Sequence, residues 1–283
     1  MKVKAFAKIN LTLDIVGKRT DGYHYVDMIM QTVSLYDEIT VNLNSTGAVS
    51  VTSTDACLGG ENDITYKAAR LFFDAVGSSN IGADISVIKH IPTAAGLGGG
   101  SSDAAAVICA LNKLCGNPLD YYKISALCLK LGADVPYFVK GGTVRVTGIG
   151  EKFEPLCDMP NCSIIIAKKD EKLSTAYMYG VIDNSVISDR PCNCLAVAAL
   201  NDGNLIALCK QVKNVFSTVW KDTQISDILK ECGADAVSIS GSGPSVFGIF
   251  ADSRNANSAL KQLKDCGITA FIAEPQNCGM IFE

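Results

Sequence analysis

Histidine is almost absent: His24 and His90 are the only two in 283 residues. Twelve cysteines are present, but no two form a Cys-x-x-Cys pair and no Cys/His grouping has zinc spacing, so a structural zinc site is excluded as an organising element. Positive charge is also short. There are 25 Lys and Arg against 29 Asp and Glu, a net charge of −4, which argues against a binder of long polyanions such as nucleic acid. No stretch approaches the ~20 apolar residues of a membrane span. Lys2, Lys4, Lys8 and Asn10 break the first residues before a signal-peptide core can form. The expected setting is therefore cytoplasmic, with neither nucleic acid nor membrane as a partner.

What is present is the composition of a folded protein, 48% apolar and 19% charged, long enough for two domains or one large one. Most cysteines sit among Leu, Ala, Ile and Val, as in SALCLKL and VICALNKLC, and read as small core residues in a reducing compartment. The close pair Cys192/Cys194 stands apart from them.

The first segment alternates. Val3, Ala5, Ala7, Ile9, Leu11 and Leu13 share one face, and Lys4, Phe6, Lys8, Asn10 and Thr12 share the other, which predicts a strand with one buried and one mostly polar face. Residues 31–43 read as two short extended pieces around Tyr36-Asp37. Residues 63–76 have the helical period and stop at Gly77. A strand is expected at 83–91, helices at about 101–115 and 121–131, and a strand at 142–147. Gly150, Pro155 and Pro160 punctuate a stretch of little periodicity, the candidate boundary between a domain 1–155 and a domain 156–283. Beyond it are a strand at 163–168, helices near 193–200, 203–216 and 224–232, two strands around Gly241-Ser-Gly-Pro244, a helix at about 254–265 and a strand at 268–273. Strands and helices mix without regular βαβ alternation, which places the chain in the α+β class.

The sharpest feature is Pro92-Thr-Ala-Ala-Gly96-Leu97-Gly98-Gly99-Gly100-Ser101-Ser102-Asp103, set between a strand and an Ala-rich helix. Clustered glycines admit positive φ and let backbone N–H groups approach a ligand. Ser101 and Ser102 can cap the helix and offer hydroxyls. The helix dipole adds partial positive charge. Together these make a phosphate cradle; the plainer alternative is a flexible turn with an N-cap. It is not a Walker A loop, since no Gly-Lys-Ser/Thr closes it, nor a dinucleotide fingerprint, since Ser101 stands where the third glycine belongs. The second cluster, Ser238-Ile-Ser240-Gly241-Ser242-Gly243-Pro244-Ser245, reads equally as a tight turn between strands or as a second backbone surface approaching a ligand.

Ala7-Lys8-Ile9-Asn10-Leu11, the Gly-Gly-Gly-Ser-Ser loop and Ser240-Gly241-Ser242-Gly243, in this order, resemble the GHMP kinase superfamily. Arg19-Thr-Asp21-Gly22-Tyr23-His24 and Leu131-Gly132-Ala133-Asp134-Val135-Pro136-Tyr137-Phe138 narrow the likeness to the member that takes a cytidine diphosphate-linked polyol. The resemblance spans residues 3 to about 273. It implies an ATP-dependent small-molecule kinase that phosphorylates the 2-hydroxyl of the methylerythritol unit in the non-mevalonate route to isoprenoid precursors, with Mg2+ accompanying ATP. It also implies a two-domain fold: a ribosomal protein S5 domain 2-like N-terminal domain and a ferredoxin-like C-terminal domain, with the substrates in the cleft between them. Another GHMP kinase of mevalonate or homoserine type is the nearest rival reading. A catalytically silent ligand-binding relative is the third.

The same resemblance implies residue roles. Asp134 takes the proton of the substrate hydroxyl, although alone it would suit a cap before Pro136. Lys8 stands beside it as the stabilising cation, although alone it would read as a solvated lysine. Asn10 orients substrate hydroxyls. Tyr23 and His24 form the cytidine site, with Tyr179 stacking on the opposite face of the base; without the motif, Gly-Tyr-His would be surface packing. Pro92, Gly96, Leu97, Gly98, Gly99, Gly100, Ser101 and Ser102 bind ATP, and Ser102 is the candidate ligand of its metal. Gly241, Ser242 and Gly243 close on the substrate diphosphate or the nucleotide. The family pattern has Met before Ser-Gly-Ser-Gly and an acidic residue after Asn-x-Phe; Ile239 and Ser217 stand there instead.

Overall fold

The computed structural model describes residues 1–78, 80–169, 175–220 and 223–283. Strand β1 (Lys2–Lys18) and strand β2 (His24–Asn44) are joined by a tight turn and pair antiparallel along almost their whole length. β2 is one continuous strand, not two pieces. The break suggested by Tyr36-Asp37 is absorbed by a register shift, in which Phe6 faces Tyr36 and Ala7 faces Val33.

Strand β3 (Val49–Ser53), helix α1 (Ile64–Val76) and strand β4 (Gly82–Ile88) follow. Asp63 caps α1 by accepting from Thr65 N at 2.7 Å, and Gly77 ends it at φ 69°. Helix α2 (Gly99–Leu114), helix α3 (Tyr121–Leu131), helix α4 (Val135–Lys140), strand β5 (Thr143–Gly148) and strand β6 (Lys152–Pro155) complete the first half. Its sheet has the order β13-β1-β2-β4-β3, with β5 also on β2; β13 is the last strand of the chain (Met280–Phe282).

The second half begins with strand β7 (Ser163–Lys168), helix α5 (Thr175–Asp183), helix α6 (Asn193–Asn201) and helix α7 (Leu205–Cys209). Strand β8 (Lys213–Asn214) leaves this half to pair with β1, and a 3-10 turn follows at Val215–Thr218. The single helix expected over 203–216 is therefore shorter. Asn214 Oδ1 accepts from Phe216 N at 3.0 Å, a local bond that competes with helix continuation. Helix α8 (Gln224–Glu231), strand β9 (Ala236–Ile239), strand β10 (Val246–Phe250), helix α9 (Ser253–Asp265) and strand β11 (Thr269–Ala273) complete an antiparallel sheet of order β11-β7-β10-β9. This is the ferredoxin-like arrangement of the expected α+β fold. Strand β12 (Pro275–Gln276) and β13 then return to the first sheet. We propose a division of the chain near residue 155, with 213–214 and 275–282 crossing back over it.

The polar face expected on β1 is not exposed. Lys8 is 4% accessible, Asn10 1% and Thr12 0%, because the glycine loop, α2 and the 238–243 segment lie over them. The apolar face is also divided. Val3 and Ala5 pack in the core with α1 and α2, while Ala7, Ile9 and Leu11 pack with Ile164, Ile166 and Phe247 of the second sheet. The register shifts at Phe6/Ala7 and between Asn10 and Thr12 rotate the strand between these layers. The cysteines do not follow the core reading either. All twelve are free thiols, and only Cys128, Cys162 and Cys209 are buried. Apolar neighbours in sequence do not fix which side of a helix faces inward. Among the described residues no helix is long and apolar enough to cross a membrane.

Candidate active site

The glycine segment leaves β4 and turns at Ala94 (φ 54°), Gly96 (φ 76°) and Gly98 (φ 72°). Gly98, not a serine, is the N-cap of α2, and no side chain caps the helix. The expected serine cap is absent because the helix starts two residues earlier and draws Ser101 and Ser102 into its first turn. Ser102 N donates to Gly98 O at 2.9 Å. The N–H groups of Gly99, Gly100 and Ser101 have no intrahelical acceptor by helix geometry. They sit at a cleft of about 380 Å³ that Pro92, Gly96, Gly98 and Asp103 also line. Ser102 Oγ is buried without a partner, and the Leu97 side chain is in the core.

Beneath this loop lies a buried ionic triad. Lys89 Nζ donates to Asp103 Oδ2 at 2.6 Å and to Asp37 Oδ2; Asp37 Oδ1 accepts from His90 N (2.6 Å) and Ile91 N (2.8 Å). Burial pulls Lys89 down, but Asp103 and Asp37 outweigh it and raise the group above its ordinary value. Burial first, and then Asp37, push Asp103 well above the carboxylate range. A cation committed to two carboxylates pins the start of α2 to β2 and β4. Asp103 Oδ1 has no partner.

A second cleft of about 300 Å³ adjoins the first and shares Gly96 and Gly98 with it. Lys8 and Asp134 both line it. Lys8 Nζ donates to Asn10 Oδ1 at 2.7 Å. Burial lowers the Lys8 pKa, and the charge of Asp134 opposes that shift. Asp134 stands at the N-cap position of α4, but its carboxylate makes no capping bond. The cap role is thus left unused and the carboxylate is available to the cleft.

The two glycine clusters meet here. Gly241 N donates to Asn10 Oδ1 (2.9 Å) and Ser240 Oγ to Gly96 O (2.8 Å). Lys8 N donates to Leu97 O (2.9 Å) and Asn214 Nδ2 to Gly241 O (2.8 Å). Gly241 and Ser242 line the cleft, whereas Gly243 packs against Trp220. The contact is too close for side chains. A Cβ on Gly96 would lie 2.3 Å from Ser240 O, and one on Gly98 would lie 2.6 Å from the Phe138 ring.

A third cleft, of about 670 Å³, shares Ile149 and Tyr179 with the second. Tyr23, 62% exposed, and His24 line it. The His24 and Tyr179 rings are 4.8 Å apart at 32°, already in contact. Phe216 meets Tyr179 edge-on at 5.0 Å. Burial first, with Asp134 adding to it, pushes the Tyr179 phenol up to about 12.

Sequence reasoning missed Lys89, Asp37, Phe216, Met28, Lys18 and Asp183, each on or beneath these walls. Asp103 stood inside the glycine motif without a role. The partners of the others are distant in sequence and leave no local signal. Among the described residues there is no group of three or more His, Cys, Asp or Glu able to hold a metal ion.

The glycine loop on a helix start, the buried lysine and carboxylate of the middle cleft and the ring-lined cleft adjoin one another. The family model for the GHMP kinases N terminal domain matches residues 63–142, and that for GHMP kinases C terminal matches 221–269. The 4-diphosphocytidyl-2-C-methyl-D-erythritol kinase of Acetivibrio thermocellus is 39% identical over 97% of this chain and 98% of its own, and that of Caldicellulosiruptor saccharolyticus is 40% identical over 93% of each. A crystal structure of 4-(cytidine 5'-diphospho)-2C-methyl-D-erythritol kinase superposes with a TM-score of 0.81 at 29% identity, over 97% of this chain and 99% of that one. Homoserine kinase from Cytophaga hutchinsonii, at 19% identity and a TM-score of 0.77 over 99% of this chain and 96% of its own, shares the fold. The chain belongs to the GHMP kinases and, among them, to the 4-diphosphocytidyl-2-C-methyl-D-erythritol kinase family.

Proposed function

We propose that the protein transfers the γ-phosphoryl group of ATP to the 2-hydroxyl of 4-diphosphocytidyl-2-C-methyl-D-erythritol, in the supply of isoprenoid precursors. The observation that carries this reading is the continuity of the three clefts. Lys8 and Asp134 line the middle one, which shares glycines with the phosphate loop and Tyr179 with the base cleft. A substrate with a pyrimidine at one end and an alcohol at the other spans the last two. The rival mevalonate- or homoserine-type reading has no use for the ring-lined cleft.

Phosphoryl transfer needs positioning and charge stabilisation more than covalent help from the protein. Asp134 accepts the hydroxyl proton as the alcohol oxygen bonds to the γ-phosphorus and the bond to the β,γ-bridging oxygen breaks. Lys8, held by Asn10, stabilises the charge on the attacking oxygen and the transferred group. The first-turn amides of α2 hold the phosphates. Tyr23, His24 and Tyr179 hold the base, and Gly241 and Ser242 lie along the chain between base and alcohol. Ser102 Oγ, buried without a partner in the first turn of α2, is the group that would hold a divalent cation accompanying ATP, which we take to be Mg2+. When bound, it neutralises phosphate charge. The acidic net charge supports small-molecule partners and no nucleic acid, and the nucleotide pools used by such a kinase put its work in the cytoplasm.

The test is ADP release from purified protein given ATP, Mg2+ and one acceptor at a time. Turnover is expected with the cytidyl substrate and not with mevalonate or homoserine. Turnover only with the latter two, or with none, overturns the reading.

A further inference from the structure

Asp183, at the end of α5, is 159 residues from His24 in sequence, yet its Oδ1 lies 2.6 Å from His24 Nε2. Its Oδ2 accepts from Lys18 Nζ. Lys18 is the last residue of β1 and His24 the first of β2, so one carboxylate holds both ends of the hairpin turn. The helix that supplies it also carries Tyr179, whose ring lies against that of His24. All four residues line the 670 Å³ base cleft. Lys18 and then His24, by hydrogen bonding, hold the Asp183 carboxyl below its ordinary value. An ionised carboxylate only accepts, so the proton in the contact with the imidazole sits on Nε2.

We propose that Asp183 is a specificity-determining positioning residue: it clasps the 18–24 hairpin to α5, fixes His24 as its Nε2–H tautomer against Tyr179, and so preforms the surface on which the pyrimidine stacks. The inference rests on the substrate reading above and adds to it the element that builds the base site. Both ion pairs between the ends of this turn and α5 run through Asp183. Without the clasp, ligand binding would have to order the turn and the helix end together, which lowers affinity. The chemistry at Lys8 and Asp134 lies in the neighbouring cleft, so the clasp acts on binding of the cytidine end and not on the transfer step.

The test compares wild type with D183A, D183N and K18M. CDP and ATP are titrated separately, steady-state constants are measured, and the ring nitrogens are read by 15N NMR, which is tractable because His24 and His90 are the only histidines. In D183A, the Kd for CDP and the KM for the cytidyl substrate should rise about 10-fold, the weight of one charge-assisted hydrogen bond. The kcat and the KM for ATP should hold, and the His24 tautomer should become mixed. D183N keeps one acceptor oxygen and should fall between; K18M should move the same constants by less. Unchanged CDP binding in D183A overturns the proposal. So does a common fall of kcat and both affinities with melting temperature, the mark of a merely structural residue. A wild type that holds the Nε2–H tautomer and binds ATP but no CDP overturns the substrate reading instead, and this role with it.

Discussion

Lys8 carries a charge that its surroundings oppose and one neighbour defends. Burial lowers its pKa, while Asp134 pulls it back up. A group whose pKa is lowered loses its proton earlier as pH rises. The alkaline limb of the kcat/KM profile should therefore fall below the ordinary lysine value of about 10.4; a limb at or above that value would show that Lys8 does not supply the required charge. Asp134 makes no capping bond, so its removal should cost chemistry and little structure. Asp134→Asn should lower kcat by roughly 10²–10⁴-fold, the range of general-base contributions, and leave nucleotide affinity near that of wild type. Loss of ATP binding, measured by calorimetry, would instead assign Asp134 a structural role. The burial of Lys8 was not legible locally. Lys8 alternates with Ile9 like any solvated strand lysine, and its cover comes from residues about 90 and 230 positions away.

Among the elements, the glycine loop was the most legible because each part of its geometry is local: positive φ, small size and a helix start within a dozen residues. What the motif did not show is that the glycines of 96–98 and 240–243 are needed by each other. A Cβ on Gly96 would lie 2.3 Å from Ser240 O, at a φ of 76°. The left-handed backbone alone costs a non-glycine residue about 1–2 kcal/mol, and the contact adds to that by pushing away the Ser240 carbonyl, and with it the residue whose hydroxyl bonds Gly96 O. Gly96→Ala should lower the melting temperature and reduce turnover together, since Gly241 N and Asn10 are held through the same junction. Thermal unfolding with an ADP-release assay checks this; a variant with wild-type stability and rate would show that the junction is soft. The short elements were the hardest to read. β8, β12 and β13 have two or three residues each, too few for any period to register, and exist because a neighbouring strand supplies their partners.

Those short strands decide how the molecule holds together as a whole. After β11 finishes the second sheet, the chain does not stop there but crosses to the first. Gln276 O accepts from Gln31 Nε2 (2.9 Å) and Thr32 Oγ1 (2.7 Å), Gly279 O accepts from Phe6 N (3.0 Å), and Gly279 N donates to Lys140 O (2.9 Å). β13 then pairs with β1, and Lys113 Nζ lies 3.4 Å from the centre of the Phe282 ring. Gly279 is admitted only because it lacks a side chain: a Cβ there would lie 1.9 Å from Phe138 O. The tail thus braces the end of α4, the helix that begins just after Asp134, and the edge of β1, the strand that carries Lys8. Deleting residues 275–283 removes the four hydrogen bonds named here, at about 1 kcal/mol each, so the loss of stability should be at least roughly 4 kcal/mol before the lost strand pairing of β12 and β13 and the lost apolar contacts are added. Denaturant unfolding should show a lower midpoint for the first half, and turnover should fall more than CDP affinity, because α4 and β1 hold the reacting groups while the base cleft lies at the far hairpin. A truncated chain with an unchanged midpoint and rate would mean that the first sheet stands without its last strand.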